Sequence, residues 1–373
     1  MITTTKKVIP ETISLTTAAL TKTNHHNNSL DQDDLNVPEA SLITAPLSIP
    51  WERRLQMGSV IVWLTSSFYL MGLFLWFWTR PFWFPLAILY LAYLLLDRAP
   101  VEGGRPFPWV REWSLWKHIV DFFPIQIIKE QNLDPSCRYI FGCHPHGIAC
   151  FGPLTTFGTE ASGFSRLFPG INTRLATLPV TFMVPLYRDL LLSMGLCSIS
   201  RASCDHVLSS SGLSLAIVVG GATEALVAQP GTNQLILKKR LGFIRLAIRH
   251  NATLVPVFSF GEADMYHQSQ SMGGSLGQTL RSWVKQICGI SFPLFHARGI
   301  FNYDFGLVPY RKPVTIIVGR PIAVPKLEKD QAEPTKEQLL EVQERYIKEL
   351  IDIYDKYKDV YSKDRHQDLE IIA

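Results

Sequence analysis

Two histidines separated by one proline form the densest polar constellation in this 373-residue sequence: Phe141-Gly142-Cys143-His144-Pro145-His146-Gly147. Imidazole titrates near neutral pH, so a histidine held on a rigid turn can take a proton from a hydroxyl group. Pro145 restricts the backbone of His144 to an extended form. Gly147 permits a positive φ or the close approach of a substrate. The alternative reading is a pair of structural histidines. Cys143, His144, His146 and Cys150 are zinc-ligand types, but their spacing matches no paired C-x-x-C or H-x-x-x-H arrangement, so no metal is expected.

Further groups lie downstream. Val218-Val219-Gly220-Gly221-Ala222-Thr223-Glu224 reads as a strand ending in a glycine turn and a carboxylate, which can pair with a cation or orient a donor. Arg201, with Lys238, Lys239 and Arg240, can bind an anion through charge-assisted bonds; for the lysines a solvated basic face is the competing reading. One G-x-S-x-G match places Ser275 as a nucleophile. That motif needs a strand before it, and residues 267–272 read as a polar loop. No P-loop and no G-x-G-x-x-G is present, so nucleotide phosphates have no glycine cradle.

These residues need elements to hold them. The histidine segment follows a β-rich run at 139–141, and further β-rich runs recur at 215–219, 254–258 and 314–318. Helical stretches such as 241–249 and 276–287 separate most of them. The alternation predicts an α/β domain, a mixed sheet covered by helices, with the site at the carboxyl ends of strands. Pro334-Thr335 opens a C-terminal helix, with Thr335 and Gln338 as a capping box.

The apolar mass sits elsewhere. Residues 57–78 form 22 positions without a charge, and a second apolar run covers 82–96 beyond Thr79-Arg80-Pro81. About 20 apolar residues span a bilayer core, so the pair reads as a membrane hairpin or re-entrant wedge over residues 51–98, with Trp76, Trp78, Trp83 and Tyr93 at interfacial positions. Arg53 and Arg54 precede it, and Arg98, Arg105 and Arg111 follow it, which puts both flanks and both termini in the cytosol. Residues 1–50 are rich in Thr, Asn and Asp and read as a disordered tail. Residues 99–373 then form the catalytic domain. Within it, residues 110–119 have amphipathic spacing and suit either a membrane-surface helix or a helix packed on the domain.

Composition agrees. Hydrophobic residues make up 47% and charged residues 18%, which excludes a disordered or coiled-coil chain. The net charge of +4 with no long Lys/Arg block gives no sign of nucleic-acid binding. Six cysteines follow no paired framework, consistent with a reducing compartment.

At this point the chain resembles the type 2 diacylglycerol acyltransferase family, which also contains monoacylglycerol and wax-alcohol acyltransferases. The resemblance covers roughly residues 51 to 355. It rests on His144-Pro145-His146-Gly147, Phe168-Pro169-Gly170, Ser200-Arg201 and Val219-Gly220-Gly221-Ala222 with Glu224. Gly242-Phe243, Arg249-His250, Val255-Pro256, Ser259-Phe260-Gly261-Glu262, Arg298-Gly299 and Gly306-Leu307-Val308-Pro309-Tyr310 complete it.

The resemblance implies a glycerolipid-acyltransferase-like fold and acyl transfer from acyl-CoA to diacylglycerol, with monoacylglycerol or a long-chain alcohol as the alternative acceptor, at the endoplasmic reticulum membrane and lipid droplet surface. The partners are then acyl-CoA, diacylglycerol and membrane lipids, with no bound cofactor; a homo-oligomer stays open. The wider superfamily's His followed five residues on by Asp is missing, since Phe151 lies five after His146 and Ala149 five after His144. Glu160 is the candidate orienting acid. The expected site is therefore His146 as base with His144 as its partner, Glu160 and Glu224 as acids, and Pro145, Gly147, Arg201, Gly220, Gly221 and Arg240 lining the substrates. Two other classes compete: a membrane-bound lipid hydrolase using Ser275, and a non-enzymatic, membrane-shaping hairpin protein with a lipid-binding domain.

Overall fold

A computed structural model describes residues 48–268, 295–303, 305–328 and 330–372. Ser275, the helix expected at 276–287 and nearly all of the expected tail lie outside these residues. The elements run α1 (Trp51–Trp78), α2 (Phe84–Leu96), α3 (Pro108–Arg111), α4 (Ser114–Phe122), β1 (Gln126–Lys129), β2 (Tyr139–His144), α5 (Phe151–Phe157), α6 (Phe164–Leu167), β3 (Asn172–Thr177), α7 (Tyr187–Ser193) and β4 (Leu196–Ser198). They continue α8 (Arg201–Ser209), β5 (Leu213–Val218), α9 (Gly221–Ala225), β6 (Asn233–Ile236), α10 (Gly242–His250), β7 (Thr253–Phe260), β8 (His267–Gln268), β9 (Phe295–His296), β10 (Thr315–Val318), α11 (Lys336–Tyr361) and β11 (Leu369–Ile372).

Seven strands pair in the order β1-β10-β7-β2-β5-β3-β4. The β7–β10 pair is antiparallel; the other neighbours are parallel. Side chains alternate across the sheet, as strand geometry requires. Phe141, Val255 and Ile316 join one apolar layer with Trp116, Phe151 and Phe157. Ile140, Leu254 and Ile317 join the other with Ile244, Leu350 and Tyr354. Both faces are covered, which is why the central strands read as continuous apolar runs. The mixed sheet covered by helices is thus present. The capping box on α11 forms as expected, with Thr335 and Gln338 each bonding the other's backbone.

The amphipathic stretch at 110–119 is not one helix. It breaks between α3 and α4, and α4 buries Trp116, Ile119, Val120 and Phe122. Its ring partner is Trp63 of α1, edge-on at 5.2 Å. The first half of α1 therefore packs on the domain, with Val60 fully buried. Its second half bears exposed Phe68, Leu73, Leu75 and Trp76. Trp51–Trp78 and Phe84–Val101 are each long and apolar enough to cross a membrane. The 28 residues of α1 extend about 42 Å and the 13 of α2 about 20 Å, at about 1.5 Å per residue.

Candidate functional site

Because β3, β4, β5, β2 and β7 run parallel, their carboxyl ends share one edge of the sheet. His144 ends β2, Gly220 and Glu224 follow β5, Arg201 follows β4 and Glu262 follows β7. Residues distant in sequence converge there.

The turn carrying His146 is clamped at both ends by buried carboxylates. Glu224 accepts from the backbone N–H of His146 at 2.7 Å through Oε2 and from that of Ile236 at 2.9 Å through Oε1. Glu262 accepts from the N–H groups of Phe151 and Gly152, both at 2.8 Å. Each carboxylate is 1% exposed. Burial pushes both acids up to about 7 against the pull of those N–H groups. Gly147 is required where it stands: its φ is +59°, and a Cβ there would lie 2.7 Å from Cγ of Glu262.

The His146 ring is oriented by its own turn. Nδ1 lies 2.9 Å from the carbonyl oxygen of Gly147. A carbonyl only accepts, so Nδ1 carries the proton and Nε2 is left as the basic nitrogen. Burial holds this imidazole below its ordinary 6.5, so it is neutral at pH 7. The Cys150 thiol donates to the backbone carbonyl of His146 at 3.0 Å and flanks Nδ1 at 3.3 Å.

His144 faces another way. It is fully buried, and its Nε2 lies 3.0 Å from the Tyr346 hydroxyl, which itself donates to the Gly142 carbonyl at 3.1 Å. Burial drives its pKa down to about 3. His144, expected as the partner of His146, thus sits in the α11 interface, where its ring packs edge-on against Tyr346. Glu160, the expected orienting acid, is placed elsewhere: its carboxylate is held by Arg111 at 2.7 Å and by Ser165 at 2.6 Å. Among the described residues, His146 has Gly147, Cys150 and Glu224 as hydrogen-bond partners. Glu262 escaped sequence reasoning as a site residue, although a carboxylate at a strand's carboxyl end was the available signal.

His146 opens into a groove of about 450 Å³ lined by Trp63, Ile148, Leu154, Leu175, Tyr187 and Leu191 among other apolar side chains. Gly221, at φ +62°, lines it and has open space where a Cβ would stand. Arg240, Ile199, Ile217 and Val219 are shared with a second cavity of about 400 Å³, whose lining adds Arg201, Lys239, Arg245 and Arg249. A cationic cavity thus shares a wall with the apolar groove that His146 lines. Within this cavity the two expected arginines differ. Arg240 donates through Nη2 to the Gly220 carbonyl at 3.3 Å and to Thr223 at 3.2 Å. Arg201 is 65% exposed and engaged by Glu333 at 2.8 Å and Asp205 at 3.7 Å. Lys238 does not line the cavity. Among the described residues no group of three or more His, Cys, Asp or Glu is placed to hold a metal ion.

A family model described as diacylglycerol acyltransferase matches residues 74–372. Diacylglycerol O-acyltransferase 2B of Umbelopsis ramanniana is 50% identical over 331 residues, covering 88% of this chain and 95% of that protein. Diacylglycerol O-acyltransferase 2 of Danio rerio is 43% identical, covering 83% of this chain and 89% of that protein. 2-acylglycerol O-acyltransferase 1 of Bos taurus is also 43% identical, with 85% and 95% covered. No solved structure matches.

Proposed function

The chain belongs to the diacylglycerol acyltransferase family, and from that premise we propose that it transfers the acyl group of acyl-CoA to the free hydroxyl of diacylglycerol, making triacylglycerol. The observation that carries this reading is the shared wall at Arg240, where a cationic cavity meets an apolar groove holding His146. The two compartments suit the two halves of the reaction: a phosphorylated head in one, lipid chains in the other.

His146 Nε2 takes the proton of the acceptor hydroxyl as its oxygen attacks the thioester carbonyl. The new C–O bond forms, the C–S bond breaks, and the imidazolium returns its proton to the departing CoA sulfur. A positioned base is worth about 10²–10⁴-fold. Thiolate leaves readily, so no acyl-enzyme and no cofactor beyond the co-substrate is invoked. Backbone N–H groups of the Gly147 turn stabilise the oxyanion. Arg240, with Arg201 and Lys239 at the rim, holds the head-group phosphates; bidentate guanidinium bonding suits them.

The fold is read as glycerolipid-acyltransferase-like. Residues 51–98 anchor the domain at 99–373 in the endoplasmic reticulum membrane and on lipid droplets, with both termini and the catalytic face cytosolic. Diacylglycerol is preferred over monoacylglycerol or a long-chain alcohol because the Umbelopsis ramanniana relative, 50% identical over 88% of this chain, is named for it.

Membranes carrying the full chain, given radiolabelled oleoyl-CoA with each acceptor in turn, test this directly. Label in triacylglycerol from diacylglycerol is expected. Label chiefly in wax ester, or in free fatty acid through a hydrolase, overturns the reading.

A further inference from the structure

Outside the N-terminal hairpin the chain has another uncharged run, residues 175–187, LATLPVTFMVPLY. It leaves β3, forms a 3₁₀ turn at Pro179–Met183 and enters α7. Leu178, Val180 and Met183 are exposed at 39%, 36% and 75%. An apolar cluster of this kind on a short irregular segment marks a contact surface rather than a solvated loop. Leu178 and Thr181 of the same segment line the His146 groove.

What covers it is given by where it is tied. The Leu186 N–H donates to the Tyr90 hydroxyl of α2 at 2.8 Å, and that hydroxyl donates to Asp189. Arg188 donates to the Leu94 carbonyl at 3.2 Å and to Asp97 at 2.5 Å. The end of the run at Leu186 and the first turn of α7 are thereby stitched alongside α2, whose Leu86, Leu89 and Leu95 are exposed. Its backbone also suits an apolar medium, where every unpaired polar group is costly. Pro179 and Pro185 have no N–H to satisfy. The N–H and hydroxyl of Thr181 both bond the Leu178 carbonyl, at 3.1 and 2.7 Å.

We infer that residues 178–183 form a second membrane-contacting element, which with α2 frames the mouth through which the glyceride acceptor passes from the bilayer to His146. The inference rests on the proposed function for the identity of that lipid; contact with the acyl phase of the membrane does not depend on it. Acyl-CoA then approaches from the cationic side, and the two substrates enter by different doors.

Two measurements on the full chain in proteoliposomes test the inference. A photo-crosslinking residue in place of Met183 should capture tritiated phosphatidylcholine as efficiently as one in place of Leu89 of α2, and at least about fivefold above one in place of exposed Lys348 of α11. Capture at the Lys348 level overturns membrane contact. Met183→Glu should lower the rate on dioleoylglycerol held in phosphatidylcholine vesicles about tenfold more than the rate on dioctanoylglycerol supplied in detergent, the loss expected when an exposed apolar side chain that meets lipid is replaced by a charge. Met183→Leu should restore the vesicle rate. An equal loss on both acceptors overturns the entry route. Failure of the unmodified chain to make any triacylglycerol refutes the functional reading instead, and leaves the crosslinking result to decide membrane contact.

Discussion

Replacing Arg240 with alanine should raise the KM for acyl-CoA about 10- to 150-fold and leave that for diacylglycerol nearly unchanged. The magnitude follows from the geometry. Among the described residues only Nη2 of the guanidinium donates to protein atoms, at 3.2 and 3.3 Å, so the remaining N–H donors can face a ligand. Hydrogen bonds to charged groups contribute about 1.5–3 kcal/mol, and each 1.4 kcal/mol is about tenfold. Arg201→Ala should cost several-fold less, because Glu333 and Asp205 already engage that guanidinium. Initial rates against oleoyl-CoA at fixed diacylglycerol in mixed micelles measure both. Added salt should mimic the Arg240 defect in the parent enzyme, and Arg240→Lys should restore it only partly. An equal rise in both KM values, or an Arg201→Ala defect as large as that of Arg240→Ala, would refute the assignment of a head-group site to the shared wall.

Other consequences of the site are measurable. Glu262→Ala strands the N–H groups of Phe151 and Gly152 and should cost about 2–5 kcal/mol of stability, seen as a lowered Tm in detergent, whereas Glu262→Gln keeps one acceptor and should retain part of it. Tyr346→Phe removes the hydroxyl between His144 and Gly142 and should lower stability by about 1–3 kcal/mol with little change in acyl-CoA KM. Stability should also rise as pH falls from 8 to 6.5. Glu224 and Glu262 have folded values near 7, above their ordinary 4.5, so their protons favour the fold and that stability is lost as pH rises through 7. Together the two contribute on the order of 1–2 kcal/mol over that window. His144 acts oppositely, its contribution fading only as pH falls from 6.5 towards 3. A Tm that is flat or falling between pH 8 and 6.5 would count against buried carboxyls of this kind.

The parts of the site legible in the sequence were those whose chemistry is local. The histidine turn after a strand, Glu224 after a glycine turn and the capping box of α11 each announce themselves within a few residues. Glu262 does not. It lies more than a hundred residues from His146 in the chain and reaches the turn only because β7 is the parallel neighbour of β2. Glu160 shows the converse: it is close to His146 in sequence, but the chain carries its carboxylate to Arg111. The contrast between His144 and His146 is likewise invisible locally, since it depends on α11 presenting Tyr346 beneath the sheet. The break between α3 and α4 follows from packing, with Trp116 turned onto Trp63 of α1. Apolar patterning located the two apolar helices, yet it could not show that the first half of α1 packs on the domain.

The central claim is that His146 is the base for acyl transfer to a glyceride hydroxyl. Its most direct test is triacylglycerol formation from labelled oleoyl-CoA and diacylglycerol by His146→Ala, at matched amounts of membrane-bound protein. A loss of about 10²–10⁴-fold in turnover is expected, with acyl-CoA still bound and protecting the protein against thermal unfolding. Turnover at the parent rate would contradict it.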